Sequence, residues 1–197
     1  ADCTWHSDPT DSVPDMPIYW DEALARNPDG IGTTVPNPDI IRDAVDRANA
    51  AGISVIAFNT ADPNSGTDDA LDILFYIGAS EFLGGQNNAR VVLAAAAADG
   101  VEIARGVCPI QEVGHSGLEA RCNGVESVFA EYGIELDRIT TSNDVTHNAG
   151  VVTDYFTANP ETNAMFLLGP TPAQAFNLYM HEAGRMPRDV YATTHDT

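Results

Sequence analysis

Between Asn27 and Thr60 the chain alternates between two hydrophobic periods. Asn27-Pro28-Asp29-Gly30 is a turn signal, and Ile31-Gly32-Thr33-Thr34-Val35 then reads as a short buried strand. Asn37 suits a helix N-cap, Pro38 the first helical position, and Asp39 the positive end of the helix dipole. Ile41, Ala44, Val45 and Ala48 follow at i, i+3, i+4 and i+7, one apolar stripe. Gly52 supplies the left-handed residue that ends such a helix. Ser54-Val55-Ile56-Ala57-Phe58 is nearly all apolar, the pattern of a strand covered on both faces. A right-handed crossover puts the two strands of this unit in parallel.

The rhythm repeats down the chain. Strands are expected at Leu74 to Gly78, Ile103 to Cys108, Ile139 to Thr141, Ala164 to Leu168 and Val190 to Thr194. Helices are expected at Gly85 to Ala98, Ser116 to Tyr132, Ala149 to Thr157 and Pro172 to Ala183. Ser116 with Glu119 forms a capping-box pattern, and Asn159-Pro160 breaks the helix before it. Such alternation predicts an α/β fold, with mostly parallel sheets flanked by helices. The acidic stretch Asp62 to Asp72 interrupts it as a lobe boundary or as a long surface loop; its length favours the loop.

Charge narrows the possible partners. Asp and Glu total 29 against 9 basic residues, all of them Arg, for a formal net charge of -20. That balance repels phosphate backbones, so no nucleic-acid partner is expected, and it fits a solvated acidic surface. At 44% hydrophobic and 19% charged, the chain can bury a real core. No apolar run approaches the roughly 20 residues that span a bilayer. The three cysteines, Cys3, Cys108 and Cys122, do not make a disulfide scaffold. Cys108 and Cys122 are either a pair, which would favour an oxidising compartment, or two buried thiols.

Several segments together resemble one family. Pro28-Asp29-Gly30-Ile31, Val35-Pro36-Asn37-Pro38-Asp39 and Ala50 through Thr60 resemble the first lobe of periplasmic sugar-binding proteins of the ribose-binding type. The effector domains of LacI-type repressors share that fold. Tyr76-Ile77-Gly78-Ala79-Ser80 followed by Leu83-Gly84-Gly85 is similar to the crossover into a second lobe. Gly117 through Gly124 is similar to an R-x-x-G helix start, and Thr157 through Glu161, Ala164-Met165-Phe166 and Thr194-His195-Asp196 match later landmarks in order. The resemblance implies two Rossmann-like lobes with parallel sheets (type I periplasmic binding fold), residues 1–79 and 80–197. Both lobes are incomplete, because the family's first strand-helix unit and its C-terminal part lie outside this sequence.

In open parallel sheets ligands sit beyond the carboxyl ends of strands. By resemblance Asn59 contacts ligand in the first lobe, Arg121 and Asp196 in the second, and Asn143 occupies another contact position. These types suit a polyol, because Arg donates, Asp accepts and Asn does both. Arg121 alternatively makes a surface ion pair with Glu119 or Glu126, and Asp196 a strand-end cap. His115 lies in the segment Glu112 to Ser116 after a predicted strand. Trp5 and His6 are placed either against a sugar face or, for Trp5, over the core edge. Gly169-Pro170 stands where ribose-type binders place an Asn-Asp pair, which implies a different ligand or different contact positions.

Metal and catalytic motifs are absent from the sequence. No H-x-x-x-H, H-E-x-x-H or C-x-x-C spacing occurs, Gly114-His115-Ser116-Gly117 is not a nucleophile elbow, and a Walker A motif lacks its Lys. The expectation is therefore no enzyme, no metal and no cofactor. Instead it is a monomeric, periplasmic solute-binding protein that delivers a sugar or polyol to a membrane ABC transporter permease. The alternative is the effector domain of a LacI-type regulator, which needs a helix-turn-helix and a dimer face.

Overall fold

A computed structural model describes residues 2–6 and 13–195. The chain divides into two compact units: the described residues of Ala1–Ala79 with Gly114–Gly117, and of Ser80–Val113 with Leu118–Thr197.

In the first unit a turn of 3-10 helix precedes α1 (Met16–Leu24), then β1 (Gly30–Thr33), α2 (Pro38–Ala50), β2 (Ser54–Phe58) and β3 (Tyr76–Ile77). The three strands are parallel in the order β1-β2-β3, with Gly30 level with Ser54 and Ala57 level with Tyr76. The grammar around α2 holds: Asn37 Oδ1 accepts from the Asp39 N–H at 3.0 Å, and Gly52 has φ +77. The stripe Ile41, Ala44, Val45 and Ala48 is buried against Trp20, Val55 and Ala57. Removing Ile41 or Val45 from water stabilises the unit by about 1.5–3 kcal/mol each.

Two expectations change here. α1 has no counterpart in the sequence reading; Trp20 is its buried residue. The strand expected over Leu74 to Gly78 is only Tyr76–Ile77, and Leu74 and Phe75 are exposed, so the apolar run there overstates the strand. The acidic loop belongs within the unit: buried Asp62 accepts from the N–H groups of Asn64 and Leu71 at 2.9 and 2.7 Å, closing the loop on itself.

The second unit contains α3 (Glu81–Ala98), β4 (Arg105–Ile110), most of α4 (Ser116–Glu131), β5 (Glu135–Thr140), α5 (Val145–Ala158), β6 (Ala164–Leu167), α6 (Pro170–Glu182) and β7 (Tyr191–Thr194). All four strands are parallel, in the order β5-β4-β6-β7. Strand parity sorts the core into two layers. Cys108, Ile110, Phe166 and Leu168 pack with Ala89, Val92, Val125, Val128 and Phe129 of α3 and α4. Val107, Met165 and Leu167 face Val152, Phe156, Phe176 and Tyr179 of α5 and α6. A sheet covered on both faces needs the apolar runs that its strands carry.

Helix starts lie earlier than expected where a side-chain cap reaches back. Ser80 Oγ accepts from the Leu83 N–H at 3.3 Å, so α3 begins at Glu81 rather than Gly85. Asp144 accepts from the His147 N–H at 2.9 Å and starts α5 at Val145 rather than Ala149. Likewise β5 begins at Glu135 and β4 extends to Ile110, past Pro109. A proline inside a strand removes one ladder donor. In β4 the Ile110 carbonyl faces β5 and the Arg105 carbonyl faces the β6 side, so Pro109 also faces β6. The ladder to β6 ends at Val107, two residues before Pro109, and the missing donor costs no ladder bond there.

Cys108 and Cys122 form a disulfide that ties β4 to α4. Cys3 is exposed and free.

Candidate functional site

The carboxyl ends of the second unit's strands form one row. Ile110 is level with Thr140, and the Thr141 N–H donates to the Ile110 carbonyl at 2.9 Å. Counting on from Val107 level with Met165, Gly169 stands beside Gln111. Thr194 of β7 is level with Leu167, and the His195 N–H donates to the Leu167 carbonyl at 3.2 Å.

Arg121 reaches this row from α4. Its Nε donates to Glu81 Oε2 and its Nη1 to the Leu168 carbonyl, which fixes the guanidinium at the end of β6. The pair is largely buried, with Arg121 12% and Glu81 11% exposed. His195 Nε2 stands 3.7 Å from the same Glu81 oxygen, and Asn88 of α3 bonds His195 Nδ1 at 2.8 Å. Glycines make this approach possible. A Cβ at Gly84 would meet His195 Nε2 at 2.5 Å, and one at Gly85 would meet the Arg121 carbonyl at 2.0 Å. The Leu83-Gly84-Gly85 segment is therefore the place where α3 lies closest to the site.

Glu119 and Glu126 are not the partners of Arg121; both pair with Arg138, at 2.8 and 2.6 Å. Asn143 is exposed, and its Nδ2 donates to Glu112 Oε1 at 3.0 Å just beyond β4 and β5. Asp196 lies outside the described residues. Glu81, Asn88, Gln111 and Thr141 join the site without having been singled out in the sequence. Gln111 lies beyond the strand expected to end at Cys108, whereas β4 runs on to Ile110.

In the first unit Asn59 follows β2 with φ +60, a left-handed conformation that Asn tolerates better than most residues. Its backbone is held by the Ile77 carbonyl at 3.1 Å and by the Tyr76 hydroxyl, which donates to the Asn59 carbonyl at 2.7 Å. That leaves the exposed Asn59 side chain beyond the strand end. Thr60 is buried, and its carbonyl accepts from the Val35 N–H at 3.0 Å. His115 Nδ1 accepts from the Gly117 N–H at 3.2 Å, and Ser116 Oγ donates to the Val35 carbonyl at 2.8 Å. Trp5 is 74% exposed with its ring 6.1 Å from that of Phe58, at the sheet surface rather than in the core.

The opposite, amino-terminal end of the second sheet carries a groove of about 440 Å³ lined by Arg105, Glu126, Glu135 and Asp137. Its charges are paired, Glu126 with Arg138 and the others through Arg105. Arg105 donates to Glu161 at 3.0 Å and Glu135 at 2.8 Å, and its Nε faces Asp137 at 2.8 Å as an ion pair without hydrogen-bond alignment. Tyr155 donates to Asp137 at 2.7 Å; burial, and then that bond, push its hydroxyl pKa up to about 12. Among the described residues, no group of three or more His, Cys, Asp or Glu side chains could hold a metal ion. Among them also, no helix is long and apolar enough to cross a membrane.

Comparisons with known proteins agree on one architecture. The sequence model of a family described as a periplasmic binding protein domain matches residues 2–197. The xylose/arabinose-binding protein XylF of Sulfolobus acidocaldarius is 26% identical over 182 residues, which is 90% of this chain and 43% of that protein. A periplasmic sugar-binding protein of a Legionella pneumophila ABC sugar transporter superposes with TM-score 0.79 at 26% identity, over 88% of this chain and 61% of its own. An Acidothermus cellulolyticus carbohydrate transporter, solved in complex with myo-inositol, gives 0.75 at 26% identity, over 92% and 58%. The chain thus spans less than half of the curated relative and about three fifths of these solved chains.

Proposed function

Because this chain belongs to the periplasmic binding protein domain family, we propose that it is part of a solute-binding protein that captures a sugar or related polyol and delivers it to a membrane ABC transporter permease. The observation that carries the reading is the row of hydrogen-bonding groups beyond the second unit's strands, where parallel sheets take their ligands. Arg121, fixed by Glu81 and Leu168, presents a rigid guanidinium there, and Asn143 and Asp196 are the other contacts proposed from the second unit. Asn59, His115 and Trp5 are the proposed contacts from the first unit.

The protein acts by binding alone, as a monomer, outside the cytoplasm. The Cys108–Cys122 disulfide supports an oxidising compartment, and the net charge of -20 disfavours the DNA-bound regulator that shares this fold. The relatives suggest where to look: one is named for xylose and arabinose, another holds myo-inositol.

The test is a thermal-shift screen of the full-length protein against pentoses, hexoses and cyclitols. A ligand at about 100 times its Kd adds roughly 2.7 kcal/mol of stability. A selective rise for one or a few compounds is expected. A flat screen on folded protein contradicts the reading.

A further inference from the structure

Two polar groups at the end of the second sheet have no protein partner. Gln111 Oε1 and Thr141 Oγ1 are buried, and among the described residues neither makes a hydrogen bond; Thr141 is only 6% exposed. Thr193 Oγ1 shares this condition but sits within the β7 ladder, level with Phe166, rather than past it. Buried polar atoms are nearly always paired, so two orphans on adjacent strands, both one residue past the ladder, mark a place where a further group belongs.

Their neighbours fit that reading. Gln111 and Thr141 continue the parity of Val107 and Ile139, the side of the sheet that faces α5 and α6. Gly169, level with Gln111 on the next strand, offers no side chain. A Cβ there would stand 2.9 Å from Gln111 Nε2 and push the carboxamide aside. The amide can turn, because the terminal torsion of glutamine is broad and roughly two-fold, and a threonine hydroxyl rotates to suit its partner. Neither group is charged, and each can both donate and accept. The strands that carry them lie about 4.8 Å apart.

We infer that Gln111, with Thr141 beside it, is a specificity-determining contact that reads neighbouring hydroxyls of an uncharged polyol at the end of β4. This rests on the sugar-binding reading and names the chemistry it selects: vicinal hydroxyls, not a carboxylate or phosphate. Gly169 contributes by making room for the Gln111 carboxamide.

The experiment is calorimetric titration of the full-length protein with D-xylose, L-arabinose and myo-inositol, followed by single-deoxy analogues of whichever binds. Gln111→Leu is expected to weaken the bound sugar about tenfold. The ligand-free melting temperature stays the same or rises, because the variant removes an unpaired buried amide. For the analogue lacking the hydroxyl that Gln111 reads, wild type and variant bind equally. Gly169→Ala, which displaces the carboxamide without deleting it, loses affinity several-fold and tests the same contact should Gln111→Leu fail to fold. Affinity within twofold of wild type in both variants overturns this inference alone. A loss of melting temperature that accounts for the lost affinity also overturns it, making Gln111 a packing residue. A wild-type protein that binds none of the three compounds overturns both this inference and the sugar-binding reading.

Discussion

At Arg121, placement for a ligand and support of the fold are joined in one side chain. Its pairing with Glu81 is largely buried and is shared with the Leu168 carbonyl. Deleting one member of a buried pair leaves the other charge without compensation, typically at 3–5 kcal/mol. Arg121→Ala is therefore expected to lower unfolding stability by about 3 kcal/mol in urea titrations, not merely to weaken ligand binding. Arg121→Met combined with Glu81→Leu should recover most of that loss. A single variant as stable as wild type would show that the pair is not formed in solution. Arg121 itself was legible from the helix-start motif, but its partner was not. Nearness in sequence points to Glu119 and Glu126, which serve Arg138, whereas Glu81 is 40 residues earlier on another helix.

Elements were legible wherever one chemical signal settled them. The Asn37 cap, the stripe on α2 and the Gly52 stop place that helix to within a residue or two. The reading fell short at element ends: the strand expected to stop at Cys108 continues through Pro109 to Ile110, and the helix expected from Gly85 begins at Glu81, with Gly84-Gly85 inside it. Those glycines reflect packing rather than helix propensity. A Cβ at Gly85 or at Gly124 would meet main-chain carbonyls, of Arg121 and Phe82, at 2.0 and 2.1 Å, so α3 and α4 cross almost backbone to backbone. Gly150 on α5 is exposed and has nothing within 4 Å of its would-be Cβ. The two sites should respond oppositely. Gly85→Ala is expected to destabilise by at least about 2 kcal/mol by forcing the helices apart. Gly150→Ala should stabilise by about 0.5–1 kcal/mol through reduced backbone entropy. Equal effects at both positions would count against the close α3–α4 crossing.

For the whole molecule, strand-helix alternation carried the fold class, and ordered weak motifs carried the family, because parallel sheets impose that grammar over long stretches. Spacing left the Cys108–Cys122 pairing open, since the bond depends on strand parity setting Cys108 toward α4. The orphaned strand-end groups were equally hidden, since burial and lack of a partner are properties of the folded chain. The central claim is that the strand ends hold a sugar. Its most direct test is a crystal structure of the full-length protein with a sugar that the screen identifies. The prediction is that ligand oxygens lie within hydrogen-bonding distance of Gln111 and Thr141, alongside Arg121. A sugar bound instead at the amino-terminal groove of Arg105 and Asp137, or no bound sugar at saturating concentration, would contradict it.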